Sequence, residues 1–129
     1  MNEAPKYLVP QCVAREDGIG PSIDLGPLAA KLLTVTIEIS DVVEQEGLTF
    51  SIWGSADEDY WGPSPLLSFS TKSYCGDYGA FLDLSLQPGI RFLRGQWKMS
   101  RWGKRGSEVM FGFLVSIKET RSNVNAAVA

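Results

Sequence analysis

No histidine occurs among the 129 residues. That removes the commonest general base, the commonest metal ligand and most nucleophilic triads. Cysteine is scarce as well, with Cys12 and Cys75 alone. A metal centre would have to be built without imidazole, and no thiol–histidine pair can form. The two sulfurs read as free thiols, because the chain shows no export signal. A Cys12–Cys75 bridge tying the N-terminal stretch to the rest is the alternative. No apolar run approaches the roughly 18 residues needed to cross a bilayer. The opening Met1-Asn2-Glu3-Ala4-Pro5-Lys6 has no basic region followed by an apolar stretch. Cytoplasmic synthesis without a signal peptide is the expectation, which leaves room for a particle released later. Excess positive charge is absent: 12 Lys and Arg face 15 Asp and Glu. General affinity for nucleic acid or anionic membranes is not expected from that balance. A Gly-rich phosphate loop and a nucleophile elbow are also missing. The sequence therefore gives no catalytic residue, no cofactor and no metal site.

What is present is alternation. Residues 31–40 put Leu33, Val35, Ile37 and Ile39 on one face and Thr34, Thr36, Glu38 and Ser40 on the other. Period two with β-branched residues marks a half-buried antiparallel strand. The pattern returns at residues 48–55, 66–71, 80–86, 90–100 and 109–118, with turn chemistry between. No convincing helix interrupts it. The prediction is an all-β, antiparallel two-sheet sandwich of six to eight strands, of jelly-roll or Greek-key type. A chain of this length buries roughly two-thirds of its unfolded surface, enough for one core. Residues 1–30, rich in proline and glycine, read as an extended arm that wraps its own domain or reaches a neighbour. Residues 31–118 form the sandwich and residues 119–129 a fraying tail.

Charge is segregated along the chain. Residues 38–59 hold seven acids, among them Glu44, Glu46, Asp57, Glu58 and Asp59, and no base. Residues 91–105 hold six bases, Arg91, Arg94, Lys98, Arg101, Lys104 and Arg105, and no acid. Either the two stretches neutralise each other as neighbours, or they lie on different faces and meet between copies. On the second reading these residues, with Trp102, make a candidate interface. Asp57 and Asp59 read as solvated acids, because their loop lacks the other oxygens of a calcium cage. Trp53, Tyr60 and Trp61 cluster around one loop. They either cover the core or form a surface on which a sugar stacks.

The string Leu48-Thr49-Phe50-Ser51-Ile52-Trp53-Gly54-Ser55-Ala56-Asp57 is followed by Trp61 and then residues 66–69. It makes a unit of strand, Gly-Ser-x-Asp turn, tryptophan and strand. Ile90-Arg91-Phe92-Leu93-Arg94 with Gln96-Trp97-Lys98 forms an arginine-bearing strand, and residues 109–117 a terminal strand of alternating bulk. This ordered set, over residues 31–118, resembles small β-sandwich proteins of phage and prophage structural gene clusters and similar bacterial proteins. The middle unit and the arginine strand are also similar to discoidin-type jelly rolls, which bind glycans or lipids. The chain departs from the pattern at Glu58, where the glycine of an Asp-Gly pair is expected, and at the insertion 101–107. No binding residue is carried over. The reading is a non-enzymatic structural protein that assembles with itself or other structural subunits, or decorates a capsid, tail or filament. The alternative is a carbohydrate-binding module that uses Trp53, Tyr60 and Trp61 on a glycan.

Overall fold

The computed structural model describes residues 6–42, 46–101 and 110–120. They form β1 (Lys6–Ala14), β2 (Gly18–Ile19), β3 (Ile23–Asp24), a 3-10 turn (Gly26–Leu28), β4 (Leu32–Val42), β5 (Glu46–Ser55), β6 (Leu67–Ser68), β7 (Gly76–Asp83), β8 (Phe92–Arg101) and β9 (Phe111–Glu119). One antiparallel sheet has the order β1-β9-β4-β7. The other has the order β2-β8-β5-β6, with β3 also on β8. The fold is the all-β two-sheet sandwich that the alternation predicts.

The pairing is nested. β1 lies on β9, β2 and β3 on β8, β4 on β7, and β5 on β6. The chain is thus one long antiparallel ribbon, and the β4–β9 and β5–β8 contacts roll it into two sheets. That is the jelly-roll arrangement.

Each inner face is the apolar half of an alternating strand. Leu33, Val35, Ile37 and Ile39 of β4 are buried, as are Leu48, Phe50 and Ile52 of β5 and Phe111, Phe113, Val115 and Ile117 of β9. The sheets meet through an aromatic cluster. Phe50 packs edge-on against Phe113 at 6.3 Å between ring centroids, and Trp97 against Phe113 at 5.5 Å. Such pairs contribute about 0.5–1.5 kcal/mol each beyond the area they bury. Gly95 of β8 lies under the Phe50 ring, and Val9 of β1 closes on it from the opposite sheet. A strand glycine here provides the room for the ring. The Trp97 indole N–H donates to the Glu16 carbonyl at 3.1 Å, so the one polar atom of this ring is satisfied.

The N-terminal stretch is part of the sandwich, and the boundary drawn at residue 31 does not divide the structure. β1 forms an edge of the first sheet, and Leu8, Val9, Leu25 and Leu28 join the core. Proline and glycine shape this stretch without releasing it, because its apolar residues still find the core. β7 begins at Gly76, inside the segment read as a turn, and ends at Asp83. Leu86 continues the alternation in sequence yet is 83% exposed, since the chain has already left the sheet. Cys12 and Cys75 are free thiols.

The sheet edges differ. β1 carries Pro10 and two register shifts, and β2, β3 and β6 are two residues each. Prolines, bulges and short strands blunt an edge against foreign pairing. β7 has none of these devices and runs for eight residues. The Leu84 N–H donates to the Lys31 carbonyl, in register with the Leu82–Leu33 pair. The N–H and C=O groups of Asp77, Gly79, Phe81 and Asp83 therefore point away from β4. They meet no partner among the described residues.

The Phe50–Gly95 contact yields a direct test. A Cβ at position 95 would collide with the Phe50 ring. Gly95→Ala is expected to destabilise the protein by about 1–3 kcal/mol, the usual cost of overpacking a core. Urea denaturation followed by far-ultraviolet circular dichroism measures it.

Candidate functional site

The second sheet turns Thr49, Ser51 and Trp53 of β5 and Arg94, Gln96 and Lys98 of β8 outward, because Leu48, Phe50, Ile52 and Leu93 are buried between them. Register sets the neighbours: Trp53 lies opposite Arg94, Ser51 opposite Gln96, and Thr49 opposite Lys98. Directly opposed side chains on one face are about 4.5–5.5 Å apart at Cβ. The Trp53 indole N–H donates to the Ser51 hydroxyl at 3.1 Å, which fixes the ring along its own strand.

Beyond β5 the chain forms a loop across the end of the sheet. Its first turn is built by two side chains. Ser55 is buried, and its hydroxyl accepts from the N–H groups of Asp57 and Glu58 at 3.1 and 2.8 Å while donating to Asp57 Oδ1. The same Asp57 oxygen accepts the N–H groups of Asp59 and Tyr60 at 2.9 and 3.0 Å. These bonds, Tyr60 foremost, hold the Asp57 carboxyl below the usual carboxylate range. Glu58 adopts φ +71°, the left-handed conformation that favours glycine. This is the position where the resembled pattern has glycine. The Glu58 carboxylate accepts a bond from the Ser22 hydroxyl beside β3.

The turn delivers Trp61 onto Arg94. The Trp61 indole N–H donates to the Glu58 carbonyl at 3.1 Å, and the Arg94 guanidinium stacks 4.3 Å from the ring centroid. Arg94 Nε is buried without an acceptor, and the guanidinium has no hydrogen bond among the described residues. An unmet buried donor costs about 1–3 kcal/mol. A cation–π contact contributes roughly 0.5–2 kcal/mol. The stack is thus close to neutral for stability, and what it supplies is position.

A cleft of about 480 Å³ opens beside this stack, with Tyr60, Trp61 and Pro65 among its walls and Gly54, Ser55 and Ile90 beneath. Its size falls within the range of small-molecule sites. Gly54 permits its closure, because a Cβ there would meet Leu66 and Ile90. Tyr60 is 68% exposed and stands at the rim.

Trp53, Tyr60 and Trp61, which the sequence grouped as a stacking set, therefore share one end of one sheet. Arg94 joins them, although charge alone had assigned it to an interface. Ser55 stands in the Gly-Ser-x-Asp turn that the sequence marks, a serine two residues before an aspartate at a strand end. Ser22 and Gln96 carry no site signal of their own. The acidic and basic stretches run partly side by side, as neighbouring strands β5 and β8, with Asp57, Glu58 and Asp59 just past the end of β5. Arg91 is exposed and its N–H donates to the Ser55 carbonyl. Glu44, the side chains of Glu46 and Arg101, and Trp102, Lys104 and Arg105 lie outside the described residues. So does the tail from residue 121. No helix among the described residues is long and apolar enough to cross a membrane.

The Asp57 clamp makes the loop acid-sensitive. A carboxyl whose folded value is depressed stabilises the loop above the ordinary carboxylate range, and that support is lost as pH falls through the depressed value. Near-ultraviolet circular dichroism from Tyr60 and Trp61 is expected to weaken on acidification in the parent chain. Asp57→Asn keeps the acceptor oxygen and should flatten that titration while holding the loop at neutral pH. Comparison with known proteins adds no relative: no protein-family model matches the chain, and no curated protein matches it either.

Proposed function

We propose that this protein is a non-enzymatic jelly roll that binds a saccharide on the outer face and end of its second sheet. The observation that carries the reading is that Tyr60 and Trp61 line an open cleft from a clamped loop, with Trp53 on the adjoining strand opposite the Arg94 that Trp61 covers. Flat aromatic faces match the C–H faces of a pyranose, and neighbouring hydroxyl and amide groups suit its hydroxyls. Ser51, Thr49 and Gln96 supply such groups along the strip. Among the described residues the carboxyls with displaced titration, Asp57 and Asp83, are both lowered by local hydrogen bonds. Neither is held protonated as a general acid would be.

A glycan array followed by titration of tryptophan fluorescence tests this. Trp61→Ala is expected to weaken the array ligand at least tenfold with the fold retained. A chain that captures no glycan and shows no change in fluorescence would end the reading.

A second reading, assembly with copies of itself, rests on the open edge of β7. Phe81 is 67% exposed on that strand, beside outward-facing backbone groups. If copies pair there, light scattering will show oligomers that grow with concentration, and Phe81→Lys will return them to monomers, since an edge lysine opposes pairing.

A further inference from the structure

The saccharide reading leaves one feature unused: three head groups along β8 that make no hydrogen bond among the described residues. Arg94, Gln96 and Lys98 alternate outward on one strand. The side-chain head groups of Gln96 and Lys98, like the Arg94 guanidinium, have no hydrogen-bond partner among the described residues. Arg94 is the most constrained of the three. Trp61 lies 4.3 Å from its guanidinium, Trp53 stands opposite on β5, and Nε is shut away from water with no acceptor. The two terminal Nη groups of a guanidinium meet a planar oxyanion with two parallel N–H bonds. Acids on the flanking segments already have partners. Asp17 accepts from the Met99 N–H, Asp24 from Gly26, Asp57 from Asp59 and Tyr60, and Glu58 from Ser22. None of them closes an ion pair with Arg94.

Resting on the saccharide reading, we infer that the ligand is an acidic polysaccharide, with the carboxylate of a uronic acid residue seated on Arg94 and the sugar ring stacked against the neighbouring tryptophans. Lys98, four residues along the same strand and so about 13 Å away, meets a second acidic residue of the same chain. Gln96 lies between them and takes ring hydroxyls. A carboxylate suits Arg94 because its two coplanar oxygens match the planar fork of the guanidinium. A nucleic acid is less well matched, because the strip offers two cations on a protein of net charge −3.

The test uses the full chain and four probes: oligogalacturonate, the same oligomer methyl-esterified, a sulfated glycosaminoglycan and a single-stranded oligonucleotide. Calorimetric titration is expected to show the free acid binding at least tenfold more tightly than the ester, with affinity falling as salt rises. Arg94→Lys, which keeps the charge and loses the fork, should cut the preference for the free acid over the ester about threefold or more, leaving what charge alone supplies. Lys118→Gln removes a cation from the other sheet and should leave the preference intact. Thermal melts of both variants check the fold. Equal affinity for acid and ester overturns the inference and leaves the sugar platform standing. Tighter binding of the sulfated chain or the oligonucleotide overturns it in favour of that ligand. If neither oligogalacturonate nor its ester binds, and the glycan array is also blank, the platform reading falls together with the inference.

Discussion

The register of β5 against β8 decides what this protein presents to solvent. A slip by one residue would turn every side chain of a strand to the opposite face. Trp53 and Arg94 would then enter the core, and Phe50 and Leu93 would face water. What prevents the slip is a fit of shapes: the Phe50 ring lies over Gly95, the one residue on β8 with no side chain to obstruct it at that point. The same ring touches Phe69 and Phe113, so the register of one sheet is tied to the packing of the other. The outward platform is in this sense a by-product of an inward contact.

The loop that completes the platform is held by polar chemistry, because it has little apolar surface to bury. Ser55, sunk at the end of β5, and Asp57 together satisfy four backbone N–H groups. That network compensates for the left-handed backbone at Glu58, which costs a residue with a side chain about 1–2 kcal/mol. Glu58 also bonds to Ser22, and this links the loop to the N-terminal third of the chain. The indole of Trp61 then has a fixed approach, and Arg94 lies beneath it. Small polar groups at a strand end thereby determine where two large side chains meet.

The fold was legible because alternation is a local signal. Leu33 to Ile39 and Phe111 to Ile117 declare their buried faces without reference to any other strand. The places where reading failed are those where a distant partner decides. Leu86 continues a local pattern but has no sheet to join. Of the two readings of the arm before residue 31, the structure shows the one that wraps its own domain: Leu8 and Leu25 are fully buried because β9 and β8 receive β1 and β3. At the site, the three aromatics were visible as a cluster in sequence. Arg94 was not visible as their companion, since only the pairing of residue 53 with residue 94 brings them together. Charge counting separated what register unites.

The nested ribbon has a consequence for how the chain is made. Among the described residues β1 finds its only sheet partner in β9, more than ninety residues later in the sequence. During synthesis the apolar faces of Leu8 and Val9 must wait, uncovered, until β9 has left the ribosome, and the first sheet cannot close earlier. Contacts so remote in sequence make folding slow and expose sticky surface meanwhile. A molecular chaperone that shields the growing chain would therefore matter more for its yield in the cell than for the stability of the finished molecule.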